Sequence, residues 1–209
     1  MAATAAVAIA VRRSRAARPR PSLQAGSERH EIRTEMHRKD EALRAIMSAY
    51  DTNHSGKLEE DQVRKLLTDL DETSPPGTAP SDEEFKFIMK LADLAGDNCI
   101  SKNELSYAVR VWRCYTKKRK LMEDRMAEYD KSGTGRLSQE ELKAYLVALN
   151  GGNEVQDKEV EWVLHEADVF GDGEVNTPEL MLATAQWYVH VEREASKTHG
   201  NGSKACSVL

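Results

Sequence analysis

The chain has 209 residues, of which 40% are hydrophobic, 31% charged and 6% aromatic, and its formal net charge is -5. That length suits one or two small domains with a modest core, and no stretch reaches the roughly 18–20 uninterrupted apolar residues of a membrane-spanning helix. The charge is unevenly placed: residues 1–27 hold Arg12, Arg13, Arg15, Arg18 and Arg20 and no acid, which leaves 25 basic against 35 acidic residues in the remainder. An acidic body suits cations as partners and argues against nucleic acid, although a plain solvated surface has the same composition. Cys99, Cys114 and Cys206 are odd in number and far apart. Neither a disulfide framework nor a zinc site is expected from them, and a reducing compartment fits better.

Residues 1–27 read as a disordered basic tail. Its apolar run, Ala2–Val11, has no basic residue ahead of it and makes a poor secretory signal, while the Arg-rich, acid-free start also has the composition of an organellar transit peptide. From Glu28 onwards Ile32, Met36, Leu43, Ile46, Met47 and Tyr50 recur at helical spacing, which predicts a helix ending at Asp51. A short helix is predicted over Asp61–Leu70. Asp71–Pro80, with three prolines and a glycine, is a loop. A further helix is predicted from Ser81 to Ala92.

Ser101–Asp130 contains no Gly or Pro. Two readings stay open there: helices running straight into one another, or a short bend near Thr116–Lys120. After a break at Gly133–Gly135 come a helix to Leu149, a Gly-Gly break, a helix over Val155–Ala167, another break, and a last helix from Pro178 to about Glu194. Pro178 fits a first helical turn, where its missing N–H costs nothing. The polar tail from Ser196 is expected to be flexible.

The chain repeats itself. Tyr50-Asp51-x-Asn53-x-Ser55-Gly56-Lys57-Leu58 returns 79 residues later as Tyr129-Asp130-x-Ser132-x-Thr134-Gly135-Arg136-Leu137. Ala92-Asp93-x-x-Gly96-Asp97 returns 75 residues later as Ala167-Asp168-x-x-Gly171-Asp172, and the match runs on to Trp112 and Trp187. The offsets differ because of the Pro-rich loop. The chain is therefore a duplicated pair of helix–loop–helix units.

A calcium ion requires oxygens spaced along a twelve-residue loop, from side chains at positions 1, 3, 5, 9 and 12 and a carbonyl at 7, with a turn residue at 6, and the four loops follow this spacing to different degrees. In this the chain resembles the EF-hand family of calmodulin-like proteins over roughly Glu31–Glu194. The resemblance implies an all-α fold of two lobes with flexible N- and C-terminal tails. Each lobe is a pair of units, over 28–117 and 118–195, and residues 196–209 form the second tail. The implied cofactor is Ca2+.

Loop three, Asp130–Glu141, is the most complete, with Asp130, Ser132, Thr134, the Arg136 carbonyl, Ser138 and Glu141 in place. Ser138-x-x-Glu141 and Ser101-x-x-Glu104 also read as plain helix-capping boxes, but capping does not explain Asp130 or Gly135. Loop one, Asp51–Gln62, has Asp51, Asn53, Ser55 and the Lys57 carbonyl. It ends in Gln62, a neutral side chain with one oxygen where two charged ones belong. Loop two keeps Asp93, Asp97 and Glu104 but has Ala95 at position 3 and Asn98 at the turn. Loop four keeps Asp168, Asp172, Glu174 and Glu179 but has Phe170 at position 3. The position-8 residues, Leu58 with Ile100 and Leu137 with Val175, are expected to bridge paired loops.

Met36, Met47, Met89, Met122, Met126 and Met181 suit either a core or an adaptable groove, with core favoured for at least half. Trp112 and Trp187 are expected as core anchors. No nucleophile sits beside a base, no glycine loop cradles phosphate, and His30, His37, His54, His165, His190 and His199 are scattered and expected at surfaces. An enzyme is not expected. The implied partner is an amphipathic helix of a target protein, in the cytoplasm or at the cytoplasmic face of a membrane. The organelle is the alternative location. Cys206-Ser207-Val208-Leu209 fits a prenylation box, which makes Cys206 a candidate lipid attachment point and a membrane surface a second candidate partner.

Overall fold

The computed structural model describes the backbone of residues 24–200 and the side chains of residues 30–196. The arginines at 12–20 and Cys206 lie outside the described residues. The elements are α1 (Gln24–Tyr50), β1 (Lys57–Leu58), α2 (Glu60–Leu70), α3 (Asp82–Ala92), β2 (Ile100–Ser101), α4 (Lys102–Tyr129), α5 (Gln139–Leu149), α6 (Asp157–Ala167) and α7 (Thr177–Gly200). The helical segments follow the apolar periodicity closely. Two differences stand out. α1 begins at Gln24, inside the expected tail, and α7 continues to Gly200 rather than stopping near Glu194.

The chain divides into two units, one up to Ala49 and one from Tyr50 onwards. In the first, α1 carries ion pairs along its surface, among them Glu35 with Arg38 and Lys39, and Asp40 with Arg44. At i,i+3 and i,i+4 spacing and open to solvent, such pairs add little to a helix.

In the second unit both loop pairs share one compact body. Of the two readings of Ser101–Asp130, the continuous one is found. α4 is a single helix of 28 residues, so the helix leaving loop two is also the helix entering loop three, and it passes unbroken through residues 117 and 118. It packs against α2 and α3 on one side and α5 and α7 on the other. The first pair buries Leu66, Leu67, Phe87, Ile88, Leu105, Trp112 and Tyr115. The second buries Leu142, Tyr145, Leu146, Val160, Val163, Leu180 and Trp187. Met122 and Met126 are buried, whereas Met89 and Met181 are half-buried.

Both anchoring tryptophans are in the core, and Trp112 Nε1 donates to the Leu67 carbonyl at 2.8 Å. His190 departs from the expected surface position. It is half-buried, stacks on Trp187 and lies 5.3 Å from the Trp162 ring, and its Nε2 meets Glu159 Oε1 at 2.8 Å.

A half-buried arginine holds the Pro-rich loop to α4. Arg119 donates to Asp71 Oδ2 at 2.5 Å, to Ser74 Oγ at 2.6 Å and to Glu84 Oε1 at 2.7 Å. Burial pushes the Asp71 carboxyl up, but hydrogen bonds from Thr73 and Arg119 outweigh it and hold the group well below its ordinary range.

Candidate metal centres: the four loops

The incoming helix closes on the first loop residue. Asp93, Asp130 and Asp168 are the C-caps of α3, α4 and α6, their N–H groups bonded to Met89, Met126 and Leu164 carbonyls. Each side chain then turns inward over the loop. In loop three Asp130 Oδ1 accepts the N–H groups of Gly133 (2.7 Å) and Thr134 (3.1 Å), and Oδ2 accepts that of Gly135 (2.7 Å). Loop four repeats this with Asp168 and the N–H groups of Gly171, Asp172 and Gly173 at 2.6, 3.1 and 2.8 Å. Such wrapping requires a left-handed residue at position 6, filled by Gly56, Gly135 and Gly173 and, in loop two, by Asn98 at φ 59°.

The last loop residue reaches back to the first turn. Glu141 Oε1 accepts from Lys131 N (2.8 Å) and Ser132 N (2.9 Å), while Oε2 accepts from Ser138 N (2.9 Å). Glu104 and Glu179 make the equivalent bonds, to Leu94, Ala95 and Ser101 and to Val169, Phe170 and Asn176. The capping-box reading is thus realised by one oxygen of the carboxylate, while the other holds the first turn of the loop.

The N–H groups of Ser138 and Ser132 hold the Glu141 carboxyl at about 2. The Ser101 hydroxyl and N–H lower that of Glu104. Glu179 has the equivalent N–H donors but Asn176 in place of the serine hydroxyl, and it is fully buried, which pushes its carboxyl upward.

Loop three gathers its expected ligands in one chain of contacts. Ser132 Oγ is 3.0 Å from Asp130 Oδ1 and 3.3 Å from Thr134 Oγ1, which donates to the Arg136 carbonyl at 3.1 Å. In loop one Asp51 accepts from Ser55 N and Gly56 N, Asn53 Oδ1 accepts from Ser55 N at 3.3 Å, and Ser55 Oγ donates to the Lys57 carbonyl at 3.0 Å. Gln62 breaks the pattern. Its Oε1 caps Glu59 N at 3.1 Å, and its Nε2 faces the loop, donating to Thr52 Oγ1 and Asn53 Oδ1.

One acid was missed from the sequence. Glu59 stands at position 9 of loop one, and its Oε1 accepts from Asn53 Nδ2 at 2.9 Å. The signal was present, since the register that placed Ser138 at position 9 places Glu59 there too.

In loop two Asp97 Oδ1 accepts from Cys99 N at 3.1 Å, and in loop four Asp172 Oδ1 accepts from Glu174 N at 3.2 Å. Phe170 is half-buried. Both position-8 bridges are present: Leu58 lies opposite Ile100 and Leu137 opposite Val175, the latter bonded N to O at 2.8 and 3.0 Å. Among the described residues, no three His, Cys, Asp or Glu side chains form a cluster able to hold a metal. The loop carboxylates are spread around their own amides. What surrounds each loop centre is mixed: carboxylate, hydroxyl, amide and carbonyl oxygens. These hard donors fit calcium and do not fit the softer transition metals.

The profile of the EF-hand domain pair matches residues 40–110 and again 119–184. The calcium-binding protein CML39 of Arabidopsis thaliana is 27% identical over 147 residues, covering 69% of this chain and 87% of that protein. Calcium-dependent protein kinases 33 and 21 of the same plant are each 26% identical over 66% of this chain, which spans only 25% and 24% of their length. A redox protein from Chlamydomonas reinhardtii superposes with a TM-score of 0.37 at 18% identity, over 84% of this chain and 57% of its own, too loose a likeness to bear on function. With a matching profile on both halves of the repeat and a loop geometry that suits the ion, the chain belongs to the EF-hand family of calmodulin-like, calcium-binding proteins.

Proposed function

We propose that this chain is a calcium sensor that modulates a partner protein by offering apolar surface to an amphipathic helix of that partner. The observation that carries the reading is α4. One helix leaves loop two and enters loop three, so a change of packing in either loop pair moves the same rod and is felt by the other. Exposed apolar side chains lie along the two helices that pack together at this junction, Leu121 on α4 and Tyr188, Val189 and Val191 on α7. Calcium sensors act by converting a closed helix pair into an open one with an apolar groove, and such grooves take the apolar face of a helix. The meeting place belongs to the same reading: the cytoplasm, or the cytoplasmic face of a membrane.

A second reading is a subunit that holds its partner whether or not calcium is present. It is favoured by the altered loops: Gln62 closes loop one, and Ala95 and Phe170 stand at position 3 of loops two and four.

Calcium titration with an apolar-surface dye, followed alongside tryptophan fluorescence, separates the two. The sensor binds more dye as calcium rises. Calcium binding with a flat dye response defeats the sensor and leaves the constitutive subunit.

A further inference from the structure

Residue 7 of a loop offers the ion only its carbonyl, so its side chain is free for other work. In both odd loops that side chain is a cation, and it crosses to the neighbouring loop. Lys57 Nζ pairs with Asp97 Oδ2, and Arg136 Nη1 pairs with Asp172 Oδ2. Both acids are residue 5 of an even loop.

The contact is built by the register. Lys57 lies opposite Ser101 and Leu58 opposite Ile100, and Leu137 bridges Val175 in the same way. The reverse contact has no chemistry to support it. Residue 7 of the even loops is Cys99 or Glu174, and residue 5 of the odd loops is Ser55 or Thr134. A cation therefore crosses only where a carboxylate ligand awaits it, and it does so in both halves of the repeat. The other oxygens of these two acids are taken as well, by the N–H groups of Cys99 and Glu174.

We propose that Lys57 and Arg136 are built-in competitors for calcium at loops two and four: each occupies the residue-5 carboxylate of its neighbour, and calcium loads the even loops only by displacing it. This rests on the reading of the even loops as calcium sites. Calcium must approach its oxygens to about 2.3–2.6 Å, and a cation seated on the same oxygen is repelled by the arriving divalent charge. Loop three faces no such competitor and keeps its closing Glu141, so it loads ahead of loop four.

The expected effect is modest, because the pairs are partly solvated. Lys57 and Asp97 are 46% and 36% exposed, and Arg136 and Asp172 are 29% and 37% exposed. Surface pairs of this kind correspond to a change of about two- to fivefold in affinity. Arg136 is held more firmly, since Nη2 also donates to Glu83 Oε1 at 3.2 Å, and loop four should sit at the upper end.

The test is a calcium titration of the full chain followed by NMR at the backbone amides of Asn98 and Gly173, residue 6 of the even loops. K57M and R136M keep the ligating carbonyl and remove the cation; K57Q, which keeps the polarity, should match K57M. K131M is the charge-matched control. Lys131 is also in a loop, but its Nζ bonds the Glu128 carbonyl. K57M should tighten loop two about two- to fivefold and leave loop four alone, R136M should do the reverse, and K131M should change neither by as much. Appearance of even-loop binding only in the variants would support the proposal most directly. Equal gains in K131M, no gain in K57M and R136M, or even loops silent in every variant would each overturn it. If the amides of the odd loops also fail to respond in the wild type, the calcium reading of the loops is what has failed.

Discussion

Gln62→Glu should turn loop one into a strong calcium site. In the wild type the Gln62 amide points its Nε2 into the loop, at 3.2 Å from Thr52 Oγ1 and 3.4 Å from Asn53 Oδ1. Those are the two residues whose counterparts in loop three, Lys131 and Ser132, donate their N–H groups to Glu141. A glutamate at 62 would exchange a donor for a second, charged oxygen, and would join Asp51 and Glu59 as a third carboxylate around the loop.

The size of the gain follows from Coulomb's law. A unit negative charge about 2.5 Å from a divalent ion is worth about 3 kcal/mol even at the dielectric of water, or about a hundredfold in affinity. Salt screening and the ordering of a half-buried side chain reduce this, so a rise of about tenfold or more is expected. Calorimetry of the full chain is the assay. A fragment ending at 117 would cut α4 ahead of Arg119 and unpair the buried Asp71 and Glu84. An unchanged isotherm would show that Gln62 is not what weakens loop one.

Glu141→Gln should weaken or abolish calcium binding at loop three, read by the same calorimetry; unchanged binding would refute the assignment. The same residue has a signature without metal. Its carboxyl lies near 2 against an ordinary 4.5, so its contribution to stability is present above about 4.5 and is lost as pH falls towards 2. The melting temperature of the calcium-free wild type should drop across that window, and E141Q should flatten part of the drop. Arg119→Met should cost about 3–5 kcal/mol in urea denaturation, because it strands two buried carboxylates, and adding Asp71→Asn should recover part of the loss. A loss below about 1 kcal/mol would show that the network is solvated. Trp112→Phe removes the bond to the buried Leu67 carbonyl and should cost about 1–3 kcal/mol in the same assay.

Most of the loops could be read from the chain because their chemistry is local. Twelve consecutive residues set the alternation of oxygens, the left-handed turn at Gly56, Gly135 and Gly173, and the position-8 pairs that became the bridges at Leu58 and Leu137. Even Asn98, an unusual turn residue, behaved as its tolerance of the left-handed region implies. The repeat supplied the pairing, since a loop that cannot bury its apolar residues alone needs the neighbour that was duplicated with it.

What the sequence left open depended on groups far apart in the chain. The absence of Gly and Pro between Ser101 and Asp130 allowed one helix or two. Packing on both sides, with Trp112 and Tyr115 buried in one pair and Met122 and Met126 in the other, decided for one. His190 reads as a surface residue until α6 brings Trp162 and Glu159 to it. Arg119 meets Asp71 and Glu84 across 48 and 35 residues, and Lys57 and Arg136 meet Asp97 and Asp172 across 40 and 36. Local periodicity records which face of an element is apolar. It carries no record of which charge will stand opposite which once helices from separate parts of the chain are packed, and that pairing is decided only by the tertiary fold.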